Sequence, residues 1–208
     1  MRGWAALSER HAPVFFEKTP RHIQHWAALS LLLRYIHTTD HDVRIVGLVR
    51  NPLAMGYSAW HSWGADLRTR PSIWRQSYQN LLRFQRALDP DRYLLVRYED
   101  MCAEPGATLR RVCEFAGVAC HDSVGAGIHR QSVARWQEDP IYVLQLDESV
   151  KAVARQFGYA DAEMVNPRRP TDRLNPLNHV RSQWMRRRRT VVSAKAKAYA
   201  ALKRARMV

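Results

Sequence analysis

A glycine-rich phosphate loop, paired cysteine ligands and a long apolar run are all missing from this chain of 208 residues. The three cysteines are Cys102, Cys113 and Cys120, an odd number with no CxxC or Cys/His ligand spacing. They read as reduced thiols in a cytoplasmic protein, not as a disulfide frame or a zinc site. Residues 27–33 (AALSLLL) are apolar, but Arg34 ends the run far short of the ~20 residues a membrane span needs. No secretory signal is visible. No GxxxxGK[ST] occurs, which argues against a P-loop kinase. Lysine is scarce: residues 1–167 hold only Lys18 and Lys151.

What is present suits one globular domain with its own core, 46% hydrophobic and 25% charged. The net charge of +14 is unevenly placed. Residues 1–167 carry 20 Lys and Arg against 18 Asp and Glu; residues 168–208 carry 13 against the single acid Asp172. A nearly neutral body, 1–165, is therefore expected to precede a basic Arg/Lys/Ala-rich tail, 166–208.

Along the body, residues 13–18 (PVFFEK) read as a short buried strand, followed by a helix from Pro20 to about Thr38. Residues 43–50 (VRIVGLVR) suit a central parallel strand buried on both faces. Pro52 and Pro71 open two helices, and Asp89-Pro90 breaks the second. Residues 92–98 (RYLLVRY) form another strand. A helix from Pro105, with Leu109, Val112, Cys113 and Ala116 inward, closes at Gly117. Residues 121–131 read as a loop, and 141–157 as a last helix closed by Gly158. This alternation predicts an α/β layered fold with a parallel sheet, whose ligands gather at the carboxyl ends of the strands.

Those strand ends carry polar residues. Arg50 ends an apolar strand, Pro52 starts a helix whose N–H groups favour an anion, and Ser58 lies about two turns in. Together they could hold a phosphate, although a strand-end arginine is often only a surface salt bridge. Lys18, in Glu17-Lys18-Thr19-Pro20, is a mobile point charge suited to a transferring anion, or a structural junction residue. Tyr98-Glu99-Asp100 follows the second main strand; Tyr98 could line an aromatic ligand or fill core, and the two acids could cap a helix. His129-Arg130-Gln131-Ser132 leads to Trp136 in a basic loop.

Taken in order, these four segments resemble the PAPS-dependent sulfotransferase family. That family has a KT strand end, a strand ending R-x-P with Ser eight residues after the Arg, a YED junction and a late basic loop ending in Trp. The resemblance spans residues 13–157 and implies a three-layer α/β sandwich of the P-loop-NTPase-like type around a central parallel sheet. It implies transfer of a sulfuryl group from 3′-phosphoadenosine 5′-phosphosulfate (PAPS) to a hydroxyl or amine acceptor, without a metal. By the same resemblance Arg50 and Ser58 hold the donor 3′-phosphate, and Tyr98 lies near the adenine. Arg130 and Ser132 add contacts on the phosphate side, and Lys18 meets the leaving bridging oxygen. The acceptor is left open among small molecules, glycans and lipids.

The family's first strand and Ser/Thr/Gly-rich loop, which cradle the 5′-phosphosulfate, have no counterpart ahead of Glu17. An N-terminally short form, weak or inactive alone, is the expectation. Glu17 and His22 are candidates for the general base, but neither is assigned. A second reading stays open: a non-catalytic nucleotide-binding remnant whose basic tail contacts nucleic acid or an anionic surface.

Overall fold

A computed structural model describes residues 2–128 and 131–168. The chain begins with α1 (Arg2–Arg10) and, after a turn of 3-10 helix at His22–Gln24, α2 (Trp26–Thr38). Strand β1 (Ile45–Val49), α3 (Pro52–Trp63), α4 (Arg70–Gln85) and strand β2 (Tyr93–Arg97) follow. Then come α5 (Tyr98–Ala103), α6 (Pro105–Ala116), α7 (Gln131–Glu138), α8 (Glu148–Arg155) and a 3-10 turn at Asp161–Met164. β1 and β2 pair in parallel, with Ile45 opposite Tyr93 and Val49 opposite Arg97. The fold is α/β, with helices flanking a small parallel sheet. No helix among the described residues is long and apolar enough to cross a membrane.

The main core lies between one sheet face and α2, α4 and α8. Val49 and Tyr93 meet Trp74, Tyr78, Phe84, Val153 and Phe157 there, all buried. A smaller core joins α3 to α7 and residues 141–144, through Leu53, Ala54, Trp136, Tyr142 and Leu144. Gly56 permits this second packing. A Cβ there would stand 2.8 Å from both the Tyr142 hydroxyl and Leu144 Cδ2.

The proline-led starts of α3, α4 and α6 and the left-handed cap at Gly117 fall where the sequence places them. Four expectations need correction. Residues 13–18 form no strand; they pair with neither β1 nor β2, and Val14 and Phe16 are 55% and 78% exposed. Apolar content makes a strand only where a neighbour supplies the ladder. Helix α2 starts at Trp26, because residues 22–24 take the tighter 3-10 turn first. β1 is open on one face, where Val46 and Leu48 are exposed, so it is not buried on both sides. The last helix begins at Glu148, seven residues later than expected. Asp147 caps it by accepting from Val150 N at 3.1 Å, while residues 141–144 are buried outside any helix.

Two smaller departures concern α6 and the basic loop. The inward face of α6 is only half-buried at Leu109, Val112 and Cys113, and Ala116 is exposed. Residues 131–138 are helical, not loop, with Trp136 buried beneath them. The basic tail, from residue 169 onward, lies outside the described residues. Ahead of it, Asn166 is buried and donates to the carbonyls of Tyr142 and Leu144 at 2.9 and 3.2 Å.

Candidate functional site

The two parallel strands deliver their carboxyl ends side by side, and the chemistry-bearing residues follow immediately. Arg50 leaves β1 and Tyr98 opens α5 after β2. The Arg50 guanidinium lies over the Tyr98 ring, 4.4 Å from its centroid. That contact sets a planar cation against an aromatic face at a strand end. The backbone beneath it is fixed from two sides. Trp74 Nε1 on α4 donates to the Arg50 carbonyl at 3.0 Å, and the next amide, Asn51 N, donates to Glu99 Oε1 at 3.0 Å.

Glu99, by sequence one of two candidates to cap a helix, makes no cap hydrogen bond at the start of α5 and is instead a bridge. Its other oxygen accepts from the Tyr159 hydroxyl at 2.7 Å, so one carboxylate joins the ends of β1, β2 and α8. Burial, with the Glu99 charge beside it, pushes the Tyr159 hydroxyl far above its ordinary range, which keeps it protonated and donating. Arg97 completes the brace. It donates to the Gly158 carbonyl at 3.0 Å and to Glu163 Oε1 at 2.9 Å, and stacks 4.3 Å from the Tyr159 centroid. No local sequence pattern announces this set, because its members lie 48 and 60 residues apart.

The start of α3 is not an open anion site. Pro52 has no N–H, and the Asn51 side chain accepts from Leu53 N at 2.9 Å and from Ala54 N at 3.3 Å. Met55 N returns to the Asn51 carbonyl at 2.8 Å. The donors expected for a phosphate are therefore already satisfied within the turn. An anion at this junction has to rely on side chains: Arg50, and Ser58, half-buried further along α3. Asn51 itself is buried and also donates to the Glu163 carbonyl at 2.8 Å. Asn51→Ala is expected to cost about 2 kcal/mol of stability in urea unfolding, the sum of a lost cap and a lost buried hydrogen bond. Asn51→Asp, which keeps the cap acceptor, should cost less.

Lys18 is exposed on the segment ahead of α2 that joins no strand. The contacts of that segment run to α1. Trp4 Nε1 donates to Glu17 Oε2 at 2.8 Å, and Thr19 Oγ1 donates to the other Glu17 oxygen. Trp4 also meets His22 edge-on, with centroids 6.0 Å apart. Arg130 lies outside the described residues, as does the side chain of Ser132, whose backbone is in the first turn of α7. The structure thus brings Arg50 and Tyr98 together, sets Ser58 on the helix that follows, and places Lys18 on a separate exposed stretch. A hollow of about 640 Å³ does open on the molecule, but beside the start of β2, among Leu82, Arg86, Tyr93 and Gln156. The strand ends that carry Arg50 and Tyr98 face the other way.

Two solved structures share the fold. The sulfotransferase domain from the curacin biosynthetic pathway superposes with a TM-score of 0.61 at 20% identity, over 76% of this chain and 68% of that one. The sulfotransferase domain from the Synechococcus PCC 7002 olefin synthase does so with a TM-score of 0.61 at 23% identity, over 76% of this chain and 64% of that one. No curated protein sequence matches the chain. The sulfotransferase family model matches residues 4–122, which contain β1, β2, Arg50, Ser58 and Tyr98 and make up over half of the sequence. With that match spanning both strand ends, the chain belongs to the sulfotransferase family.

Proposed function

We propose that this protein transfers a sulfuryl group from PAPS to a hydroxyl or amine of a small-molecule, glycan or lipid acceptor. The observation that carries the reading is the Arg50 guanidinium stacked on Tyr98 at the carboxyl end of the sheet. The two described strands are then part of a three-layer, P-loop-NTPase-like sandwich, and the body is a domain distinct from the basic tail.

PAPS is a donor substrate with a phosphate at one end and the reacting sulfuryl group at the other. The residues present fit the phosphate end. A fixed guanidinium at a strand end forms charge-assisted hydrogen bonds to a phosphate dianion, and the Ser58 hydroxyl adds a neutral donor. Tyr98 offers an aromatic face beside the same cation, suited to the adenine. Arg130 and Ser132 supply further donors on the phosphate side. Bound in this way, the donor is oriented by contacts remote from the bond that breaks, and such binding energy serves positioning. Lys18 supplies a mobile positive charge for the bridging oxygen as negative charge develops there. A metal is not required, because arginine, lysine and hydroxyl groups carry the anion. The three free cysteines suit a cytoplasmic enzyme.

Lys18→Ala separates binding from turnover. With sulfur-labelled PAPS and a panel of phenol, sugar and lipid alcohols, the variant should lose about 100-fold or more in kcat while donor KM changes little. An unchanged kcat with a raised KM would remove Lys18 from the leaving-group role. Absence of label transfer to every acceptor by the wild-type chain, with donor binding intact, would turn the reading toward a nucleotide-binding protein without catalysis.

A further inference from the structure

Strands β1 and β2 stop together, and the residues just past them stay in register. The last ladder pair is Val49 and Arg97. Carried on past that pair, the same register sets Arg50 opposite Tyr98 and Asn51 opposite Glu99. The main-chain ladder cannot continue there, because Pro52 opens α3 and Tyr98 opens α5. A side chain takes over: Asn51 N donates to Glu99 Oε1 at 3.0 Å. The two residues joined by this bond are the chain neighbours of Arg50 and Tyr98, whose cation and ring face each other at 4.4 Å. One carboxylate oxygen therefore sets the spacing of the pair on which phosphate binding is proposed to depend.

The second oxygen fixes the first. Tyr159 donates to Glu99 Oε2 at 2.7 Å and is itself 2% exposed in the main core. The Arg97 guanidinium lies over its ring, so Tyr159 is held from β2 as well. The same stretch holds the Asn51 side chain, through the Glu163 carbonyl at 2.8 Å, and Glu163 Oε2 in turn accepts from Ala160 N at 2.7 Å. The main-chain exit of β1 is thus tied to residues that follow α8, and Glu99 is the link that reaches the backbone next to Arg50.

We infer that Glu99, oriented by Tyr159, is a positioning residue of the nucleotide site; the inference rests on the PAPS reading above. Glu99 acts through Arg50, by holding the guanidinium where the 3′-phosphate arrives. Charge-assisted bonds at both oxygens confine the carboxylate to one orientation. The guanidinium is then preorganised, and less freedom is lost when the phosphate binds. Without Glu99 the Asn51 amide loses its acceptor, and a shift of about 0.5 Å at the strand end is enough to spoil a charge-assisted contact.

The test measures 3′-phosphoadenosine 5′-phosphate and adenosine 5′-phosphate by calorimetry on the full chain, in wild-type and Arg50→Ala backgrounds. With Arg50 present, Glu99→Ala is expected to weaken the first nucleotide roughly tenfold and the second by less than about threefold. Tyr159→Phe, which leaves the second oxygen without its donor, should weaken the first nucleotide by about three- to fivefold. Glu99→Gln keeps an acceptor for Asn51 N and should recover most of the loss. In the Arg50→Ala background neither Glu99→Ala nor Tyr159→Phe should lower affinity further, because the group they position is gone. A residue that only supports the fold would affect both nucleotides, with or without Arg50. If Glu99→Ala does not fold, Tyr159→Phe carries the same comparison. A loss that persists without Arg50, an equal loss for both nucleotides, or no loss in a chain that distinguishes the two nucleotides overturns this inference alone. A wild-type chain that does not distinguish them overturns the PAPS reading and this inference with it.

Discussion

Arg50→Ala is expected to weaken binding of 3′-phosphoadenosine 5′-phosphate by about 2–3 kcal/mol, roughly 30- to 150-fold, in calorimetry. The size follows from what surrounds the side chain. The guanidinium lies over Tyr98 at 4.4 Å, so little rotamer freedom remains to be lost when a phosphate arrives. Its backbone is locked by Trp74 on one side and by Glu99, through the next amide, on the other. Truncation removes the charge and the stacking together. Arg50→Lys keeps the charge but not the planar fork, and should fall between alanine and wild type. Adenosine 5′-phosphate, which lacks the 3′-phosphate, should bind wild type and variant alike. Equal loss for both nucleotides would mean that Arg50 holds the fold and not the phosphate.

Trp74→Ala should produce the largest loss of stability, about 3–5 kcal/mol in urea unfolding. Trp74 is buried at 1% exposure, lies tilted against Tyr78 with centroids 4.4 Å apart and meets Phe157 edge-on, so its removal opens a cavity in the main core. The same indole donates to the Arg50 carbonyl, which ties the core to the candidate site. Trp74→Phe separates the two roles. It retains most of the packing, so stability should drop by only about 1–2 kcal/mol, while the Arg50 carbonyl loses its donor. Nucleotide affinity in that variant should fall by more than its stability change accounts for at 25 °C, where the chain remains folded. A Trp74→Phe variant with wild-type affinity would show that the strand end holds Arg50 without help from α4.

The elements legible in the sequence were those with local chemistry. Proline at 52, 71 and 105 marked three helix starts, and Gly117 marked a left-handed end. The Arg50 and Tyr98 strand ends were readable because an apolar run stops there in a polar residue. What sequence reasoning missed depended on neighbours distant in the chain. PVFFEK has strand composition, but only a paired neighbour makes a ladder, and none appears among the described residues. The apolar run at 141–144 drew the expected helix start forward; Tyr142 and Leu144 instead pack against α3 at Gly56, and the helix starts only after Asp147. Glu99 stood beside the motif, but its partners Asn51 and Tyr159 come from elements that only the fold brings together. The closed start of α3 runs against the expectation of N–H groups open to an anion: a capped helix offers its first N–H groups to its own side chain before any ligand.

The most direct test of the account is a calorimetric titration of the intact chain with 3′-phosphoadenosine 5′-phosphate, run beside adenosine 5′-phosphate. The account predicts binding that depends on the 3′-phosphate, with the Arg50→Ala variant losing the difference between the two nucleotides. A folded chain that binds neither, or binds both equally, would contradict the assignment of Arg50, Ser58 and Tyr98 as a nucleotide phosphate site.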